Sequence, residues 1–180
     1  LGDSEHATLV VLNEVLFGGR ASRLYRELVI SNESCTEVRG WVSTFRDPGL
    51  YELYFTARPG IAGEAILSTL DAQLERVKDE LIDSEELERA KARLELGLLQ
   101  SLETTSGKAE QIGFYDTVLG DPTAAFRRLE RYRRVTAGEL RTAARRWFVN
   151  DARTIIRVLP EPETEVDAVE GQTTPEQASA

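Results

Sequence analysis

Apolar residues fill the stretch from His6 to Phe17 almost without a break, with Ala7, Leu9, Val10, Val11 and Leu12 followed by Val15, Leu16 and Phe17. Its length, and the Gly18-Gly19 stop behind it, predict a buried helix despite the β-branched residues. A second short helix is predicted over 21–30, then a polar loop at 31–34. From Thr36 the period falls to two, and Val38 and Val42 share a face. Tyr51, Leu53, Phe55 and Ala57 share the face of a second run, and Arg46-Asp47-Pro48-Gly49 between the runs supplies turn chemistry. The two runs predict an antiparallel hairpin.

Beyond Arg58-Pro59-Gly60 the spacing returns to three and four. Ile66, Leu70, Leu74, Val77 and Leu81 mark an amphipathic helix over 62–81. Asp83-Ser84 caps the next helix, which carries Leu87, Ala90, Leu94, Leu98 and Leu102. Thr104-Thr105-Ser106-Gly107 breaks it. Another helix is predicted over 108–119, stopped by Gly120-Asp121-Pro122, and a short one near 126–132. Thr136 and Glu139 form a capping box that opens a helix with Leu140, Ala144 and Trp147. Thr154–Leu159 is predicted to close the domain as a strand. After Pro160 the chain is rich in Glu, Thr, Pro and Ala, a composition too poor in large apolar groups to offset its ordering entropy.

These elements define an α+β domain over 1–160, an antiparallel or mixed sheet with helices packed mainly on one face, and an acidic tail over 161–180 read as disordered or as a linker. Three strands make a marginal sheet. The chain starts at Leu1 and contains no methionine. It therefore reads as a piece of a longer protein, lacking strands that precede Leu1.

Composition narrows the function. The 180 residues carry a net charge of −9, which argues against general binding to phosphate backbones. No apolar run is long enough to span a membrane, and no signal peptide is visible. The single cysteine, Cys35, forms no internal disulfide and is read as a small core residue. Periplasm and cytoplasm both stay open as compartments. The single histidine, His6, is read as a surface residue at a helix start. A catalytic zinc site takes three protein ligands and a water, so no metal or catalytic residue is assigned to this chain. Asp3, Glu5, Glu14 and Glu33 show no spacing that pairs them for acid–base work. Gly18-Gly19-Arg20 lacks the Lys-Ser/Thr of a phosphate loop. Arg127, Arg128, Arg131, Arg133, Arg134, Arg141, Arg145 and Arg146 are read as a solvated face balanced by Glu85, Glu86, Glu88 and Glu95, and no nucleic-acid partner is expected. Trp41 and Tyr54 are read as core aromatics.

Several phrases, in this order and spacing, resemble the C-terminal half of the pitrilysin/insulinase-type zinc metallopeptidases, which include mitochondrial processing peptidases and bacterial zinc proteases. They are Leu12–Gly19, Ser22–Leu28, Arg46–Leu50, Glu86–Lys91 and Ser101–Glu110, with Asp121-Pro122 and Val135-Thr136. The similarity covers about residues 5–160. It implies two homologous halves around a chamber, the zinc held by the His-x-x-Glu-His of the other half. It implies a non-catalytic role here, forming part of a peptide-binding chamber and inactive alone. No cofactor is expected in this chain and zinc is expected in the partner half. The implied partners are a zinc-bearing N-terminal half or homologous subunit, a peptide substrate, and a second copy in a dimer. The family's second half carries an Arg-x6-Tyr pattern that holds the substrate near the zinc. Aligned without gaps from Ser22, the Arg falls on Val29 and the Tyr on Thr36, and valine offers no donor to an oxyanion. A slipped alignment brings in Arg26 or Arg39 instead. The degenerate pair leaves a competing expectation, a scaffold or assembly module of an inactive homologue.

Overall fold

The computed structural model describes residues 4–160. The expected tail and Asp3 lie outside the described residues. A helix that is apolar on every side has no face to give to water and must sit inside. Helix α1, Ser4–Phe17, does so. Ala7, Val11, Leu12, Val15, Leu16 and Phe17 are all buried. Gly18 N donates to Glu14 O at 2.8 Å. Gly19 follows with φ +71°, the left-handed turn that glycine adopts without strain.

The predicted second helix is shorter and wider than its spacing suggests. Helix α2, Arg23–Tyr25, passes directly into a π turn over Arg26–Ser31, closed by Asn32 N donating to Glu27 O at 2.9 Å. Leu24 and Leu28 point into the core from it. Wide turns of this kind re-aim side chains and are frequent at functional sites.

The hairpin forms as expected. Strands β1, Cys35–Val42, and β2, Tyr51–Ala57, pair antiparallel, with Val38 opposite Phe55 and Val42 opposite Tyr51. A register shift between Cys35 and Glu37 leaves Thr36 as the extra residue of a bulge. Cys35, Val38 and Val42 are buried on the face turned to α1. At Gly40 the two elements nearly touch, and a Cβ there would stand 2.3 Å from Asn13 Oδ1 and 2.4 Å from the Phe17 ring. Ser43 ties the connection, its Oγ donating to Leu50 O at 2.7 Å and accepting from Leu50 N at 3.0 Å. Trp41 and Tyr54 are not core residues. They lie on the outward face of the hairpin, 47% and 56% exposed, because strand alternation places them opposite the buried valines.

Five further helices complete the layer: α3 (Gly63–Asp79), α4 (Ser84–Ser101), α5 (Thr105–Leu119), α6 (Ala124–Arg134) and α7 (Ala137–Trp147). Helix α1 is packed by α4, α6 and α7 as well as by β1, so helices cover one face of the sheet. Asp83 caps α4 by accepting from Glu85 N at 2.9 Å. Thr104 accepts from Gly107 N at 3.0 Å, which starts α5 three residues ahead of the predicted 108. The capping box opens α7 in full: Glu139 N donates to Thr136 Oγ1 at 3.3 Å and Thr136 N to Glu139 Oε2 at 2.7 Å. After α7, Phe148 stacks on Tyr51 with ring centroids 5.4 Å apart.

The expected closing strand is absent. Thr154–Leu159 makes no ladder, and β1 and β2 are the only strands among the described residues. The segment is strung along α3 by ion pairs from Arg153 to Asp71 and Arg157 to Glu64. Ile156, Val158 and Leu159 are at least 79% exposed. Its strand-like sequence is real, but a strand needs a neighbour, and none of the described residues supplies one.

Candidate functional site

The two positions singled out by resemblance fall at the start of the hairpin. Val29 lies in the π turn, half-buried against the core. Thr36 is exposed at the bulge, and its hydroxyl donates to Thr56 O at 3.3 Å. Valine has no polar atom, and the threonine hydroxyl is already committed to the partner strand. Arg26 is exposed, and Arg39 is exposed on the outward hairpin face beside Glu37. These four residues bring together no nucleophile, base and oxyanion donor.

His6 is not a free surface residue. It lies in the first turn of α1, half-buried, its Nε2 3.1 Å from Ser43 O, so it joins α1 to the end of β1. Cys35 is fully buried and burial pushes its thiol up, the reverse of what an activated nucleophile needs. Among the described residues no three His, Cys, Asp or Glu side chains converge as metal ligands. The described residues do not fit a zinc ion.

The arginine-rich helices are balanced differently from the expectation. Of the four glutamates named for that role only Glu95 serves, paired with Arg133. Glu85, Glu86 and Glu88 pair with Arg89, Arg23 and Lys91. Arg127 meets Asp121, Arg134 meets Glu130, and Arg146 meets Glu5. Three of these pairs, Arg89–Glu85, Lys91–Glu88 and Arg134–Glu130, are helical neighbours three or four residues apart, and the rest reach beyond a single helix.

One concavity was missed from sequence. A cleft of about 430 Å³ opens between α1, α4, α6 and the end of β1. Its walls include Val10, Glu14, Trp41, Leu94, Gly97 and Arg128. The one available signal was Glu14, a carboxylate between the apolar runs 9–12 and 15–17 of α1. Burial raises the Glu14 carboxyl above its ordinary value of 4.5, and the ion pair with Arg93 only partly offsets this. A carboxyl raised in the native state binds its proton more tightly folded than unfolded. Its effect on stability is therefore most favourable below pH 4.5 and is lost as pH rises through the folded value. Glu14→Gln is expected to flatten that decline. Urea midpoints of wild type and variant should diverge in the variant's favour from pH 4 to pH 7, and parallel curves would refute the assignment. Tyr132, on the same wall, is pushed up to about 12 by burial and stays a neutral phenol.

An α+β domain with one helix-covered hairpin, no converging metal ligands among the described residues and a half-buried cleft is the class that fold and site define. The comparisons give the family. The model described as the peptidase M16 inactive domain matches residues 1–94, just over half of the chain, and the chain belongs to that family. It is 28% identical over 143 residues to an uncharacterized zinc protease of Streptomyces coelicolor, covering 79% of this chain and 31% of that one. It is 27% identical over 147 residues to one of Bacillus subtilis, covering 79% and 35%. The chain thus spans about a third of the length of the curated relatives it matches. Among solved structures it is similar to the inactive peptidase domain of a presumptive zinc protease from Bordetella parapertussis, with TM-score 0.79, 24% identity, and 89% and 86% of the two chains covered. A protease from Helicobacter pylori gives TM-score 0.76 at 22% identity, with 82% of this chain and 35% of that one covered. At such identities the structural likeness is one of fold.

Proposed function

We propose that residues 1–160 are the zinc-free wall of a peptidase chamber, facing a zinc-bearing half that supplies the chemistry, with 161–180 as a tail. The match to the peptidase M16 inactive domain carries this reading. The names of the relatives, zinc proteases of which the match covers only 31% and 35%, support a second half outside this chain. The partner is that zinc half, on the same polypeptide or on a homologous subunit. The ligand is a peptide held in extended form. Zinc in that half activates water with a glutamate as base. This chain's share is to bound the space and exclude water.

Val29 and Thr36 occupy the substrate-facing positions of the family in degenerate form. Neither offers a free donor, so Val29→Ala is expected to change kcat/KM of the assembled enzyme by less than about threefold, against the ~100-fold loss of removing an oxyanion donor. That expectation also supports the second reading, a scaffold or assembly module of an inactive homologue, because Thr36 spends its hydroxyl on Thr56 O.

The test is a fluorogenic peptide assay of the chain alone, of a zinc-bearing half from the same source, and of the two together. The chamber reading expects no hydrolysis by the chain alone and chelator-sensitive hydrolysis by the pair. A stable pair that cleaves nothing supports the scaffold. Zinc-dependent hydrolysis by the chain alone would sink both.

A further inference from the structure

Arg128 stands apart from the paired arginines around it. No carboxylate lies within ion-pair distance of it among the described residues. Its Nη1 donates to Tyr115 Oη at 2.5 Å, and its guanidinium sits 5.5 Å and 5.8 Å from the ring centroids of Tyr115 and Tyr132. The aromatic contacts hold the cation in place. Its Nε is buried and has no acceptor. A guanidinium drawn partly out of water with no carboxylate beside it carries a cost that an arriving anion lowers.

The surroundings define the rest of the ligand. Arg128 lines the 430 Å³ cleft together with Val10, Val42, Leu94, Leu98 and Trp41. That volume lies at the lower end of ligand sites, roughly 300–1,000 Å³. Gly97 stands on the same wall in the middle of α4, and nothing lies within 4 Å of where its Cβ would be. A mid-helix glycine is destabilising against alanine. Here no packing contact accounts for it, and its effect is to keep the cleft wide. The one acid on the wall, Glu14, is already matched by Arg93.

We propose that this cleft binds a carboxylate joined to an apolar group, the carboxylate on the cleft-facing side of the Arg128 guanidinium and the apolar part against Trp41, Val10 and Leu94. Two sources share that chemistry: the free C-terminus of a peptide ending in an apolar residue, and a small aliphatic or aryl acid. The inference does not depend on whether the parent polypeptide is a peptidase.

The experiment follows the two tryptophan indole N–H resonances of the full 180-residue chain, Trp41 and Trp147, assigned with Trp41→Phe. The probes are acetyl-Ala-Ala-Leu as free acid, the same peptide as C-terminal amide, and 4-phenylbutyrate. An acid is expected to shift Trp41 saturably while Trp147 stays still. For the tripeptide the amide should bind at least about tenfold more weakly, the scale of one charge-assisted hydrogen bond. Arg128→Gln should weaken the acid by a similar factor, with Arg134→Gln as the unaffected control. Should Arg128→Gln lose its far-UV circular dichroism, Arg128→Lys keeps the charge without the Nε donor, and the acid–amide comparison on the unaltered chain decides alone. Binding of the tripeptide acid only assigns the site to a peptide terminus, and binding of phenylbutyrate only assigns it to a small acid. No shift with either acid, equal binding of acid and amide, or a folded Arg128→Gln that binds as wild type overturns the proposal.

Discussion

Replacing Leu12 by alanine is expected to remove about 3–4 kcal/mol of stability, the upper part of the range for a leucine emptied from a closed core. Leu12 is fully buried at the middle of α1, with Val11, Val15 and Leu16 beside it. The usual relief for a lost side chain is inward movement of a neighbour, and here α1 is hemmed by α4, α6, α7 and β1 together. No one of these can close the gap without leaving the others. Since domains of this kind hold roughly 5–15 kcal/mol in all, the variant loses a large share of its stability. With an m-value near 2 kcal/mol/M the urea midpoint should fall by about 1.5–2 M at unchanged slope. A fall below about 0.5 M would mean that α1 is not the centre of the core.

The second large effect is expected from Glu86→Ala, at about 2–3 kcal/mol. Arg23 grips Glu86 with both arms, Nε to Oε1 at 2.8 Å and Nη2 to Oε2 at 2.7 Å. Both side chains are only 16% exposed, and Nη1 of Arg23 is buried without a partner. Removing the carboxylate leaves a guanidinium that water reaches poorly, so the loss exceeds the worth of the pair itself. Screening acts weakly at this depth, and the difference between wild type and variant should persist from 50 mM to 500 mM salt. Arg76–Glu80, with both side chains more than half exposed, is the contrast, and its removal should cost less than about 0.5 kcal/mol. If Arg23→Met on the Glu86→Ala background restores nothing, the orphaned cation is not the cause.

Helices and hairpin were legible in the chain because each depends on near neighbours. The apolar run at 7–17, the Thr136–Glu139 box and the Pro48-Gly49 turn act over a few residues and state their conformation locally. Thr154–Leu159 failed for the opposite reason, since its sequence asks for a strand and only a partner grants one. Trp41 and Tyr54 failed because their bulk suggested burial while their phase on the strands placed them opposite Val38, Val42 and Phe55. The cleft was not legible at all. Arg128 looked like one more arginine in a charged helix, and what sets it apart, a buried Nε and a seat beside the Tyr115 and Tyr132 rings, is tertiary. Val29 and Thr36 were found by resemblance, and their half-buried and bonded states explain why no chemistry could be read from them.

The position of α1 also says where this domain can be cut. The family model stops at residue 94, inside α4. A fragment ending there would keep β1 against α1 but forfeit α6, α7 and part of α4, leaving most of that apolar helix bare to solvent. An expression boundary taken from the matched region would therefore yield an insoluble or partly collapsed product. The shortest piece worth making runs at least to Phe148, where the stack on Tyr51 joins the last helix back to the hairpin.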